Sequence, residues 1–152
     1  NVTQLYLSID APNKELLKEI DKPLFPDFWE RLLKSLEYAR EKEYRTVARL
    51  TLIKDINDVD LPGYKYLIEK GDFDFIEIKA YMHVGASQER LLRENMPMHD
   101  YVKEFSLELA EILPEYEYVS DHKPSRVVLL AKKTFNKKTW INFEQFFKDC
   151  GY

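Results

Sequence analysis

The sequence predicts an α/β fold with parallel strands, amounting to about half of a TIM-like (β/α) barrel. Three observations lead there. Apolar residues alternate with polar ones in three separate stretches, at residues 5–9, 46–53 and 73–81, the period of a strand. Helical sequence stands between them, so strand–helix units recur every roughly 30 to 40 residues, as in βαβ units. Each strand also carries a polar or ionisable pair at the same relative place: Ser8 and Asp10, Arg49 and Thr51, Glu77 and Lys79. In a barrel built this way the face opposite the helices is the interior, and its chemistry gathers at the C-terminal mouth of the strands.

Size and composition set the outer bounds. The 152 residues make one domain, and 45% hydrophobic with 14% aromatic residues is enough for a core, which excludes a disordered tail. A net charge of -4 gives no global attraction to nucleic acid, so any RNA contact needs a local basic patch. Cys150 is the only cysteine, which excludes an internal disulfide, a CxxC motif and a self-contained iron–sulfur or zinc–cysteine site. That usage fits a reducing, cytoplasmic compartment. No apolar run is long enough to span a bilayer and no signal-peptide pattern appears, so no membrane partner is expected. Asn1-Val2-Thr3 leads straight into a strand with no starting Met, and reads as the beginning of a fragment of a longer protein.

In the first strand Leu5, Leu7 and Ile9 share one face, and the run stops at Ala11-Pro12. Asn13 suits the cap of a short helical turn over 14–20. After the two prolines of 21–26, Asp27 and Glu30 stand in a capping-box spacing ahead of a helix. Its apolar face is Phe28, Leu32, Leu33, Leu36 and Ala39; Glu30, Arg31, Lys34, Glu37 and Arg40 are a solvated face. In the second strand Leu50 and Leu52 share one face and Arg49 and Thr51 the other. An Arg there needs a partner, either a structural carboxylate or a ligand's carboxylate or phosphate. Residues 64–70 make a short helix with Gly71 as its C-cap residue.

In the third strand Phe75, Glu77, Lys79 and Tyr81 share one face, and Ile76, Ile78 and Ala80 the other. An exposed salt-bridge ladder is the plain alternative to a chemical role for Glu77 and Lys79. Residues 82–87 (MHVGAS) form a loop with His83 and Gly85. The longest helix spans 97–113, with His99 as a polar residue of its first turn. Residues 116–119 and 127–131 are further strands, joined by a loop over 120–126 that holds His122, Lys123 and Arg126. Residues 1–135 thus form the half-barrel. Residues 136–152, with Trp140, Phe143, Phe146 and Phe147, form a tail that docks on it.

TQLYLSIDAP, IDKPLFPDFWERLL, RTVARLTLIK, DFIEIKAYMHVGAS and ILPEYEY with the His-x-x-Ser loop together resemble one family over residues 3–132. It is the radical-SAM, tRNA-modifying 4-demethylwyosine synthases of the wybutosine pathway, in the C-terminal half of their barrel. The resemblance implies a lyase that binds S-adenosylmethionine (SAM) on a 4Fe-4S cluster, alongside a second cluster. Such an enzyme makes a 5′-deoxyadenosyl radical and condenses carbons of pyruvate with N1-methylguanosine 37, in the anticodon loop of phenylalanine tRNA. It implies Ser8, Asp10, Arg49 and Thr51 around SAM, with Asp10 accepting from ribose hydroxyls, and Glu77 and Lys79 beside the radical or the base. It further implies Lys14, Lys18, Lys22, Lys54, Lys123 and Arg126 on anticodon-loop phosphates, a salt-dependent contact.

The sequence departs from the family in its cysteines. The CxxxCxxC loop belongs to the N-terminal half, so this chain should be inactive without that half as partner, and it offers no metal ligands. The family's pyruvate-holding lysine is not assigned here: it is expected in the N-terminal half, with Lys79 only a secondary candidate. A non-catalytic half-barrel that binds RNA or a partner is the alternative. A non-radical enzyme using Glu77 and Lys79 as acid and base is disfavoured, because four glycines supply neither a phosphate-cradling loop nor a nucleophile elbow.

Overall fold

The computed structural model describes residues 2–151; Asn1, at which the sequence reads as starting mid-protein, and Tyr152 lie outside the described residues. Three strands lie parallel, as the alternation predicts: β1 (Gln4–Ser8), β2 (Arg45–Leu52) and β3 (Phe75–Ala80). Two more, β4 (Tyr116–His122) and β5 (Val127–Lys132), form a hairpin whose β5 runs antiparallel to β3. The sheet order is β1-β2-β3-β5-β4, a mixed five-stranded sheet. The residues expected to loop at 120–126 are partly strand. β4 continues to His122 after a bulge near Val119, and a short 3-10 turn (Lys123–Ser125) closes the hairpin.

The helices are α1 (Lys14–Asp21), α2 (Phe28–Arg40), α3 (Leu61–Gly71), α4 (His99–Ile112) and α5 (Phe143–Asp149). Leu36 and Ala39 of α2, Tyr64, Leu67 and Ile68 of α3, and Val102, Phe105 and Leu109 of α4 bury one sheet face. Against them lie Ile9, Ala48, Leu50, Leu52, Ile76, Ile78, Val128 and Leu130, the side that strand parity selects. Burying a Leu or Ile side chain contributes about 1.5–3 kcal/mol, so this layer dominates the stability. Trp29, rather than Phe28, joins Leu32 and Leu33 against that core, and Phe28 instead lies under the Lys14 ammonium, 5.8 Å from its ring centre.

Helix ends divide the expectations. Asn13 caps α1 through Oδ1, which accepts from the Leu16 N–H at 3.0 Å. The capping box at Asp27 and Glu30 does not form. Asp27 Oδ1 takes the Arg31 Nε–H at 2.8 Å, and Glu30 takes Lys14 Nζ at 2.8 Å, because ion partners lie within reach of both carboxylates. Gly71 is the last helical residue, and Asp72 takes the left-handed cap position with φ 49°. Glycine stands there for space, since a Cβ would lie 2.3 Å from the Phe73 ring. The third strand starts at Phe75, because Asp74 turns its carboxylate onto the Thr46 N–H at 2.9 Å.

Candidate functional site

Register brings the three sequence pairs together across the face away from the helices. Ser8 pairs with Arg49, Arg49 with Glu77, and Glu77 with Leu129, one row across the sheet. Thr51, Lys79, Val127 and His122 form the next row toward the C-terminal ends of the parallel strands. Partners in register project to the same side. The polar strip is therefore a real surface, running toward the end where the β1–α1, β2–α3 and β3–α4 loops emerge.

Within it Arg49 has a structural partner. Its Nε–H donates to Glu77 Oε1 at 2.8 Å, with the Arg side chain 41% and the Glu side chain 17% exposed. Its guanidinium also lies over the Tyr6 ring, 4.6 Å from the centre. Glu77 is thereby held as the ion partner of Arg49. Lys79, one position further out, is exposed and has no hydrogen bond or ion pair of its ammonium among the described residues.

Asp10 completes the strip just past the end of β1. Its Oδ1 accepts the Thr51 N–H at 3.1 Å and extends the β1–β2 ladder with a side chain. Burial raises its pKa above the ordinary carboxyl value, against the hydrogen bonds from Thr51 and the nearby Arg49 charge. Beneath it sits Asn57, which the sequence places in the loop just past the second strand without giving it a role. Its Nδ2 donates to the Asp10 and Thr51 carbonyls, both at 2.8 Å. Its Oδ1 accepts from the Ile53 N–H at 2.6 Å, and its carbonyl takes the Tyr64 hydroxyl at 2.9 Å. Asn57 is 1% exposed, so one buried amide fixes the ends of β1 and β2 together. An isolated Asn in the acidic segment 55–60 was its only signal.

The basic residues divide between the loops. Lys14 pairs with Glu30, and Lys18 flanks a shallow groove with Leu24 and Phe25; Lys22 closes α1 in the left-handed region at φ 51°. Lys54 follows β2 directly, with its ammonium 5.5 Å from the Tyr101 ring centre. Lys123 and Arg126 lie in the β4–β5 turn, which reaches the same end because β5 is antiparallel: the Ala80 N–H donates to the Arg126 carbonyl at 3.0 Å. The Arg126 side chain is partly spent on the Pro97 carbonyl, 3.3 Å from Nη1. His99, expected as a polar first-turn residue, is buried, with Nε2 3.3 Å from Asp121.

Among the described residues no group of three or more His, Cys, Asp or Glu side chains gathers as a metal site. Cys150 follows α5, in a segment set beside Thr3, Glu43 and Arg45 at the start of the parallel strands, the end opposite Asp10. The tail also crosses the polar face. The Arg45 Nη2–H donates to the Thr139 carbonyl at 2.6 Å, and Thr139, Trp140 and Phe143 border a pocket shared with Tyr6, Glu77 and His122.

Residues 70–132 match the family model described as wyosine base formation. The chain is 45% identical over 150 residues to an S-adenosyl-L-methionine-dependent tRNA 4-demethylwyosine synthase from Xenopus laevis, covering 95% of this chain and 20% of that protein. It is 47% identical over 152 residues to the synthase of that name from Oryza sativa subsp. japonica, covering 95% of this chain and 23% of that protein. A solved structure described as TYW1 with a lysine-pyruvate adduct bound superposes with a TM-score of 0.76 at 37% identity, over 87% of this chain and 41% of that one. The archaeal TYW1 crystal structure superposes at 0.62 and 32% identity, over 87% of this chain and 40% of that one. The chain thus spans about a fifth of the length of the curated relatives it matches. Over 95% of its length the chain is thus similar to one segment of proteins named tRNA 4-demethylwyosine synthases, and within it residues 70–132 match the wyosine base formation model.

Proposed function

We propose that this chain is part of a SAM-dependent tRNA 4-demethylwyosine synthase and builds one wall of its radical-SAM (β/α) barrel. The 45% identity along 95% of the chain carries this reading. The polar strip supports it, because parallel strands bring Ser8, Asp10, Arg49 and Thr51 to one face and one end, where (β/α) barrels place ligands. In this reading Ser8, Asp10 and Thr51 face the hydroxyl and amino groups of SAM. Arg49, already holding Glu77, offers its remaining N–H groups to a carboxylate. Lys79 is the unpaired cation beside them, available to the carboxylate of a small acid such as pyruvate. Lys54, Lys123 and Arg126 stand at the mouth for RNA phosphates.

The residues present do not fit a 4Fe-4S cluster. One cysteine at the opposite end of the sheet cannot supply its thiolates. Cluster ligands belong to the rest of the enzyme, and segment 1–152 alone makes no product. The test is rescue of a strain lacking its own synthase, read by mass spectrometry of its tRNA nucleosides. Full-length protein carrying this segment restores 4-demethylwyosine. Protein that binds the tRNA yet leaves guanosine 37 without the third ring would favour the non-catalytic binding module instead.

A further inference from the structure

The MHVGAS turn after β3 holds a chain of hydrogen bonds whose direction can be read from donor counts. The Ser87 hydroxyl donates to the Val84 carbonyl at 2.6 Å, so its oxygen is left to accept. It accepts the Tyr81 hydroxyl at 2.9 Å. Tyr81 has a single proton and has spent it, so the contact of its oxygen with His83 Nδ1 at 3.1 Å requires the proton to sit on Nδ1. A neutral His83 is thereby held as the Nδ1–H tautomer, with the Nε2 lone pair unprotonated. Among the described residues Nε2 has no protein partner and no ion pair engages the ring, while the buried Tyr81 meets it edge-on at 6.3 Å between centres.

This ring stands where chemistry is expected. Tyr81 continues the Phe75, Glu77 and Lys79 face by parity, and its N–H donates to the Leu52 carbonyl at 2.8 Å, tying the turn to the end of β2. The chain ends on a carbonyl that cannot pass a proton onward, so it orients the imidazole and does not relay. The charged residues that adjoin the turn are Lys79 on β3, Arg126 in the β4–β5 turn, and Glu89 and Arg90 at the end of the 3-10 turn.

We propose that His83 is a general base of the site, with Tyr81 and Ser87 as its positioning residues. This rests on the proposed synthase function, which joins a nucleobase amine to carbons of a carbonyl compound. As the amine adds, its N–H proton passes to His83 Nε2 and its electron pair forms the C–N bond. The carbonyl π pair moves to oxygen, which collects the proton from the imidazolium. Atoms and charge balance with no oxidant or reductant.

The test uses the full-length enzyme with SAM, pyruvate and N1-methylguanosine tRNA, following 4-demethylwyosine and 5′-deoxyadenosine together. His83→Gln lowers turnover by about a hundredfold while 5′-deoxyadenosine still forms, and the acid limb of the pH–rate profile disappears. Tyr81→Phe keeps the ring packing but frees the tautomer; it lowers turnover about tenfold, displaces the acid limb and leaves the KM for tRNA unchanged. Should His83→Gln not fold, Tyr81→Phe decides alone. Turnover of His83→Gln within about threefold of wild type, or an unmoved acid limb in Tyr81→Phe, overturns the assignment. Wild-type enzyme that makes no 4-demethylwyosine overturns the proposed function itself.

Discussion

Asp10 and Asp121 show one residue type in opposed environments. Asp10 is half-buried, and desolvation disfavours its charged form in the folded protein. A carboxyl raised in this way costs stability above its folded pKa, and the cost disappears as the pH falls through that value. Asp10→Asn keeps an oxygen for the Thr51 N–H and removes the charge. It should melt higher than wild type at pH 7, with the gap closing in acid; a lower melting point at pH 7 would contradict the account. Asp121 is the reverse case. Hydrogen bonds from Lys103, Tyr118 and His99 hold its carboxyl down at about 2. Its contribution is complete above the unfolded carboxyl range and is lost as the pH falls through about 2. Asp121→Asn should therefore flatten the acid end of the stability profile, measured by urea melts across pH. Arg49 needed a partner on sequence grounds, but which partner depends on register. Only the pairing of Arg49 opposite Glu77 decides it. Arg49→Ala strands a mostly covered carboxylate and should cost about 1–3 kcal/mol in urea unfolding.

Strands were legible as elements because a period of two fixes parity, and Leu50, Leu52, Ile76 and Ile78 face the helices as that parity requires. Element ends were less legible, since local signals compete with distant partners. Asp27 carries a cap spacing, yet the Arg31 guanidinium claims its carboxylate. Gly71 reads as a C-cap glycine, yet its role is clearance for the buried Phe73 ring. Gly71→Ala would ordinarily strengthen a helix by up to about 1 kcal/mol. Here the added methyl meets a ring that cannot move away, so the substitution should destabilise the protein; a rise in melting temperature would refute the steric reading. From the sequence Asn57 reads only as a loop residue just past the second strand, because its importance lies in the two strand ends it joins. Asn57→Ala leaves several buried groups without partners and should cost about 3 kcal/mol or more by chemical denaturation, at about 1–3 kcal/mol for each group.

At the scale of the molecule, a parallel βαβ core meets an antiparallel hairpin that returns to the mouth end. The hairpin brings Lys123 and Arg126 beside the C-terminal ends of the parallel strands, a placement the sequence order of those residues does not contain. It also leaves the polar face of the sheet bordered by the tail at one end and by the MHVGAS turn at the other. The role proposed for this face is 4-demethylwyosine synthesis as one part of the whole enzyme. Its most direct test is anaerobic turnover by the purified full-length enzyme with reconstituted clusters, SAM, pyruvate and N1-methylguanosine tRNA, read by mass spectrometry of the digested tRNA. The account predicts 4-demethylwyosine at position 37, formed with 5′-deoxyadenosine and strongly reduced when Asp10 and Arg49 are both replaced by Ala. Unmodified N1-methylguanosine after incubation with the intact, cluster-loaded enzyme would contradict it.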